Sequence, residues 1–342
     1  MPFRDVIGHR KLVTLLSRSI ARDALPPSLI FAGPIGVGKR LVADAVAQAV
    51  NCLAPRLPSS STTPDALEHD ACGECTACLR IARGVHPDVV IVAPGDSGSI
   101  KIEPIRDLVD RVGYRPFEGR RRVVIIDEAD ALVTAAQNAL LKTLEEPPSA
   151  SMFLLVTAHP DTLLATVRSR CPRLRFQPLG PGEVAAALEK QGMSEHEART
   201  IAATSDGSIG HALDASGQDL ANVREVAARV LAQVAQGDDP GRRIDSAKDL
   251  LAKTGAGGAS DREMLATHLR VMSSLLRDVE LMAMGADRAS LANGDITPAL
   301  DRLAAFRGDR GIRAFGAVDR ALAALERNAS VKIVADWLTL NL

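Results

Sequence analysis

Gly33-Pro34-Ile35-Gly36-Val37-Gly38-Lys39-Arg40 directly follows the apolar run Leu29-Ile30-Phe31-Ala32 and opens a helical pattern over 39–49. A strand, a glycine-rich loop and a helix in this order make a phosphate loop. Gly33, Gly36 and Gly38 let successive backbone N–H groups turn inward, and the helix N-terminus adds partial positive charge. Lys39 is spaced to reach the β- and γ-phosphates of a nucleotide. A glycine-rich turn that only joins strand to helix is the plainer alternative, and the spacing and context outweigh it. The eighth position breaks the pattern. A Ser or Thr hydroxyl there ligates Mg²⁺, and Arg40 has no acceptor atom to offer. Its guanidinium repels the metal or takes the cation's place against a phosphate or Asp127. Mg²⁺ is therefore not expected, little or no ATP turnover is expected, and binding of ATP or ADP is left open.

Working outward, three more short apolar runs match the first: Val89-Val90-Ile91-Val92, Val123-Val124-Ile125-Ile126 and Phe153-Leu154-Leu155-Val156. Leu174-Arg175-Phe176 is a weaker fifth. Continuous apolar runs without alternation suit strands buried on both faces of a parallel sheet. Helical patterns at 39–49, 105–112 and 134–144 supply crossovers, and Thr134-x-x-Gln137 reads as a capping box. The fold class is α/β, a doubly wound parallel sheet. The third run ends in Asp127-Glu128. An acidic pair at the end of a buried strand, downstream of a phosphate loop, is placed to hold Mg²⁺ or its water through Asp127 and to orient an attacking water through Glu128.

Cys72-Gly73-Glu74-Cys75-Thr76-Ala77-Cys78 gives Cys-x₂-Cys-x₂-Cys, and Cys52 lies 20 positions upstream. Four thiolates make a closed tetrahedral Zn²⁺ site, which is structural because no coordination position stays open. An iron–sulfur cluster wants a further cysteine where Ala82 stands, and His69 reads as a solvated loop residue rather than a substitute ligand. Cys171 is distant in sequence and is left out. The zinc module spans about 52–78, and the Pro/Ser/Thr-rich stretch 55–64 inside it reads as a flexible surface insertion.

Past Pro178-Leu179-Gly180-Pro181 the pattern changes. A compact helical piece runs to about 217, broken at Gly207-Ser208-x-Gly210. Ala-rich amphipathic helices follow at 222–236, 242–253, 260–284 and 311–328, and Ser260-x-x-Glu263 is a second capping box. Three domains are expected: 1–178, an α/β nucleotide-binding module; 179–217, a small helical lid; and 218–342, an all-α collar. The 342 residues allow two or three domains at roughly 150 each.

With 41 Lys plus Arg against 42 Asp plus Glu, no whole-molecule basic field exists, so any nucleic-acid contact is a local patch. Arg120, Arg121 and Arg122 read as a solvated turn in preference to such a patch. Aromatics at 3% argue against base-stacking platforms. No membrane span is expected, the N-terminus lacks the apolar core of a signal peptide, and five cysteines do not read as a disulfide framework. The cytoplasm is the expected location.

The cysteine cluster, Asp127-Glu128-Ala129-Asp130, the run Asn138-Ala139-Leu140-Leu141-Lys142-Thr143-Leu144-Glu145-Glu146-Pro147-Pro148 and Ser169-Arg170-Cys171 come in an order that resembles the AAA+ subunits of bacterial clamp loaders, the gamma/tau/delta-prime group of DNA polymerase III. Phe3-Arg4-Asp5-Val6-Ile7-Gly8 resembles the segment flanking the adenine pocket. The resemblance is dense over the first domain and loose beyond it. It implies a subunit of a heteropentamer with gamma/tau and delta that loads the ring-shaped sliding clamp onto primed DNA, with no membrane partner. It also implies that Arg170 is an arginine finger for a neighbour's ATP, and that Thr157 stands at the sensor-1 position. Two departures point to the non-hydrolysing delta-prime branch: Arg40 breaks the phosphate loop, and Gly210 stands where a motor subunit carries its sensor-2 arginine. A gamma/tau-type ATPase motor is the alternative, and an AAA+ adaptor outside replication is a second.

Overall fold

The computed structural model describes residues 1–56, 66–95, 98–216, 220–237, 239–251, 258–287, 291–327 and 329–342. Most of the 55–64 insertion lies outside them. The chain divides into two compact units, Met1–Leu179 and Gly180–Leu342.

The first unit runs α1 (Arg10–Ala21), β1 (Ser28–Ala32), α2 (Lys39–Asn51), α3 (Thr76–Ala82), β2 (Val89–Val92), α4 (Ile102–Val112), β3 (Arg122–Ile126), α5 (Thr134–Glu145), β4 (Ser151–Thr157), α6 (Ala165–Arg168) and β5 (Arg173–Arg175). The strands form one parallel sheet in the order β2-β3-β4-β1-β5. Alternate residues along each central strand enter opposite layers. Phe31, Ile125 and Leu154 face a core shared with Leu16, Val42 and Val46. Ile30, Val124 and Leu155 face one shared with Ile105, Leu108 and Leu140. Both faces of β1, β3 and β4 are therefore dry, which is why these strands read as unbroken apolar runs; β2, at the sheet edge, departs from that expectation and exposes Ile91. Each such side chain contributes roughly 1.5–3 kcal/mol by burial. β1 lies between β4 and β5; the crossover from β1 runs past β4 and β3 to β2, while that from β4 runs the other way to β5, so the two leave neighbouring carboxyl ends in opposite directions. In open α/β sheets this switch point is where ligands bind.

Several local expectations need correction. Thr134 is the first helical residue of α5, and Val133 is the cap with no side-chain cap bond. Gln137 instead donates to the Leu132 carbonyl (3.1 Å) and accepts from the Leu164 N–H (2.7 Å). Its amide thus stitches the helix to the chain on both sides. The long C-terminal helix begins at Gly258, so Ser260 lies inside it and not at its cap. Of Arg120, Arg121 and Arg122, the last of which opens β3, Arg120 is exposed in the turn. Arg121 pairs with Asp23, and Arg122 turns inward to buried Asp88 (3.2 Å). Asp88 also accepts the backbone N–H groups of Phe117, Glu118 and Gly119.

Every element of the second unit among the described residues is a helix: α7 (Pro181–Glu189), α8 (Glu195–Thr204), α9 (Ile209–Ser216), α10 (Leu220–Ala235), α11 (Pro240–Leu250), α12 (Gly258–Ala283), α13 (Thr297–Arg302), α14 (Asp309–Glu326) and α15 (Val331–Asn341), with short 3₁₀ turns between some of them. Pro181 opens α7 at its first turn, where no N–H is needed, and Glu183 reaches back to the Gly180 N–H (2.9 Å). Helices α7, α8 and α9 pack on one another. A separate core, drawn from Val223 to Leu342 and centred on α12, joins the remaining helices. No helix among the described residues is long and apolar enough to cross a membrane.

Candidate functional site: a phosphate loop, a cysteine knuckle and an exposed arginine

The carboxyl ends of β1, β3 and β4 bring the phosphate-loop residues together. Gly33 leaves β1 with its N–H on the Thr157 carbonyl (3.2 Å). A Cβ at Gly33 would fall 2.3 Å from the Phe176 carbonyl oxygen, so only glycine lets the loop pass the end of β5. Gly36 (φ 74°) and Gly38 (φ 97°) hold left-handed conformations that wind the loop into the helix N-terminus. Lys39 is 7% exposed, and its Nζ donates to the carbonyls of Gly33 (2.6 Å) and Pro34 (2.5 Å). Burial lowers its pKa to about 8, against the opposing pull of Asp130 and Asp127.

Arg40 settles on the strand-end carboxylate. Its Nη1 lies 2.9 Å from Asp127 Oδ2, and its Nε lies 3.3 Å from Asp44 Oδ1 one turn along α2. A monovalent, metal-free cation thus occupies the Asp127 side of the loop. Burial raises the Asp44 pKa while the Arg40 charge pulls it down. Glu128 follows Asp127 in a left-handed conformation (φ 47°), and burial, then Asp127 and Asp130, raise its pKa. Thr157 is committed to Asp130: its hydroxyl donates to Oδ1 at 2.6 Å and accepts the His159 N–H at 3.0 Å.

Asp44, Asp130, Phe176 and His9 were not singled out as site residues by the sequence. Asp44 stands four positions after Arg40, the spacing of a helical ion pair, which was an available signal. His9 sits edge-on to Phe176 and bonds the Val37 carbonyl through Nε2 (2.8 Å).

The sulfurs of Cys52, Cys72, Cys75 and Cys78 all lie within 4.8 Å of one another. Cys52 to Cys75 and Cys72 to Cys78 are each 4.0 Å. Four thiolates about 2.3 Å from a central zinc stand about 3.8 Å apart, so the cluster could hold that ion with little rearrangement. Backbone N–H groups already point at sulfur, including Cys72 to Cys52 (3.2 Å) and Cys75 to Cys72 (3.2 Å). Gly73 (φ 83°) makes the turn between ligands, and Cys75 caps α3. Burial opposes ionisation of Cys75, but the Cys78 and Leu53 amides and the neighbouring sulfurs outweigh it and bring that thiol to about 6. His69 is buried, not solvated. Its Nε2 bonds the Ala49 carbonyl (2.9 Å), so it takes no part in the cluster. Cys171 is buried in the opposite core, and burial raises its thiol to about 11.

The cysteine knuckle is strapped to the start of the chain. Asp70 accepts the Phe3 N–H (2.7 Å) and pairs with Arg4 (2.9 Å), whose guanidinium also bonds the carbonyls of Ala71 and Cys72.

Arg170 is a third exposed and folds back on its own unit. Nη2 pairs with Glu145 Oε1 (3.1 Å), and Nη1 donates to the Thr166 carbonyl (2.9 Å). Glu145 belongs to the Asn138–Pro148 run. In the second unit, the residue after Gly210 does meet an arginine, supplied by α12: His211 Nε2 and Arg270 Nη2 are 3.1 Å apart. Burial, then Arg270, lower the His211 pKa to about 4, so the imidazole is neutral and accepts this bond.

Residues 8–180 match the family described as "DNA polymerase III, delta subunit". The chain belongs to this family. Its members are clamp-loader AAA+ proteins. Among curated relatives, the DNA polymerase III subunit tau of Escherichia coli (strain K12) is 34% identical over 227 residues, covering 64% of this chain and 33% of that protein. The DNA polymerase III subunit delta′ of Bacillus subtilis (strain 168) is 36% identical over 192 residues, covering 56% and 54%. The chain thus spans between a third and about half of the length of these relatives. A DNA polymerase III gamma subunit-related protein of Thermotoga maritima aligns over 95% of this chain and 96% of its own, with 17% identity and a TM-score of 0.45. The match to the family ends at the boundary between the two units.

Proposed function

We propose that the chain is a delta-prime-type subunit of the DNA polymerase III clamp loader, which helps place the sliding clamp on primed DNA without hydrolysing ATP itself. The observation that carries this is the Arg40–Asp127 pair. Hydrolysis at a phosphate loop needs a divalent cation between the loop hydroxyl and the strand-end carboxylate. Here the hydroxyl is missing and the carboxylate is already matched by a fixed positive charge. Glu128 can orient a water, but the divalent cation that bridges the phosphates to the strand-end carboxylate has no hydroxyl ligand at position 40.

In this reading residues 1–178, 179–217 and 218–342 are the AAA+ module, the lid and the collar, and the collar joins the chain to gamma/tau and delta in a heteropentamer. Arg170 leaves Glu145 and enters the neighbour's site, where a planar guanidinium stabilises charge on the transferred phosphoryl group. Zinc on Cys52, Cys72, Cys75 and Cys78 is structural, since four cysteines complete its shell. A gamma/tau-type motor is the second reading, favoured by the survival of Lys39, Asp127 and Glu128 and by the tau relatives. ATPase assays decide between them. The chain alone should be inactive, and mixing with a gamma/tau-type partner should give activity that depends on Arg170. Turnover by the chain alone, abolished by Lys39→Ala, establishes the motor instead.

A further inference from the structure

We infer that the phosphate loop is a metal-independent nucleotide site, which takes a nucleoside diphosphate with the Arg40 guanidinium standing where an intact loop places a divalent cation. The inference rests on the non-hydrolysing reading above and gives that site a ligand.

Three observations support it. First, the cradle is built: Gly36 and Gly38 keep their left-handed turns, and the Gly33–Phe176 approach fixes the loop against β5. Second, Lys39 is a buried cation whose hydrogen bonds go only to the loop's own carbonyls, and among the described residues no carboxylate pairs with it. A buried ammonium held by neutral oxygens gains from an anion that replaces them. Burial outweighs the pull of Asp130 and Asp127 and brings its pKa down to about 8. Third, Arg40 uses Nη1 on Asp127 and Nε on Asp44, and its Nη2 has no partner among the described residues. The guanidinium is thus anchored on two carboxylates and keeps one amino group for a phosphate oxygen.

Charge selects the ligand. In an intact loop the metal brings two positive charges beside a neutral hydroxyl. Arg40 brings one. The deficit of one charge matches the difference between a triphosphate and a diphosphate, so the shorter ligand is favoured. The guanidinium cannot be titrated away or chelated. Mg²⁺ gains no vacant ligand here and meets a cation at Asp127, so it acts only by sequestering free nucleotide.

The test is calorimetric titration of the full chain with ADP, in EDTA and then with excess Mg²⁺. Wild-type binding in EDTA should equal or exceed that with Mg²⁺, and ATP should bind more weakly than ADP. Arg40→Thr should lose ~tenfold or more in EDTA and recover with Mg²⁺, whereas Arg40→Lys, which keeps one charge, should still bind in EDTA. Lys39→Ala should abolish binding, and thermal melting checks that each variant is folded. Binding that requires Mg²⁺ in the wild type overturns the inference. So does the absence of ADP binding in EDTA, and in that case binding by Arg40→Thr with Mg²⁺ shows that Arg40 plugs the site. Neither result touches the non-hydrolysing reading, which fails only if the chain turns over ATP.

Discussion

With zinc on the cysteine knuckle as proposed, stripping the metal should be measurable as both a loss of zinc and a loss of stability. The sulfurs stand 4.0 Å apart in two pairs, against about 3.8 Å in a zinc tetrathiolate, so little of the binding energy goes into assembling the site. Structural zinc in small modules binds with roughly 10–16 kcal/mol, equivalent to a Kd of about 10⁻⁷ to 10⁻¹² M. Zinc at a free concentration of ~100 times its Kd stabilises the folded chain by about 2.7 kcal/mol. For a unit the size of Met1–Leu179, each kcal/mol is worth about 2–4 °C in Tm. Stripping the metal should therefore lower the melting temperature of this unit by about 5–11 °C. Elemental analysis should find one zinc per chain, absent in Cys75→Ser and unchanged in Cys171→Ser, whose thiol lies in a different core. Iron in place of zinc, full zinc in Cys75→Ser, or a melting temperature indifferent to a strong chelator would each refute the argument.

Arg170→Ala should leave assembly intact and slow ATP hydrolysis in the adjacent subunit. An arginine finger is typically worth ~10³–10⁵ in rate at its own site, so clamp loading on primed DNA should fall well below wild type, and Arg170→Lys should rescue only in part because the planar fork is lost. Wild-type loading by Arg170→Ala complexes removes the trans role. ADP binding should also depend on pH through Lys39, whose free value near 8 means that the ammonium is charged below that pH and neutral above it. Affinity in EDTA should be level between about pH 7 and 8 and then drop, by up to ~tenfold per unit, as pH rises further. A profile flat to pH 9.5 or so shows that Lys39 does not meet the phosphate.

The central strands β1, β3 and β4 were legible because burial on both faces leaves no alternation to misread, and their boundaries moved by only a residue or two where flanking Ser28, Ser151 and Thr157 extend the pairing; edge strand β2 reads as the same unbroken run although Ile91 is exposed. Elements with polar residues on the buried side gave less notice. Helix α1 buries Thr14 and Ser17 beside Val13 and Leu16, which breaks its apolar spacing. Helix α3 is short and owes its cap to a cysteine sulfur. The capping pattern at Thr134 misled because Gln137 had better partners in Leu132 and Leu164, one of them brought close only by the tertiary fold. Long-range pairing was legible at Arg40 and Asp127, because both belong to motifs whose relative position the fold class dictates, and at Cys52, because a four-thiolate set needs a fourth member. Arg270 beside His211 and Glu145 beside Arg170 had no such guide. His69 shows the limit of composition: a polar residue next to an insertion reads as solvated until its neighbours close over it.

On the proposed non-hydrolysing reading, Glu128 carries a conformational cost with no catalytic return. A non-glycine residue at φ 47° sits about 1 kcal/mol or more above its relaxed state, and Glu128 shares its turn with two more carboxylates at Asp127 and Asp130. An ATPase recovers that cost as catalysis, but a chain that hydrolyses nothing does not. Glu128→Gly should therefore raise the melting temperature by about 1–4 °C while leaving clamp loading intact. In a working motor the same exchange would trade activity for stability. On that reading the response of the turn after β3 to this exchange distinguishes a chain that keeps the Glu128 carboxylate unused from a motor that depends on it, and thermostabilising the chain begins there.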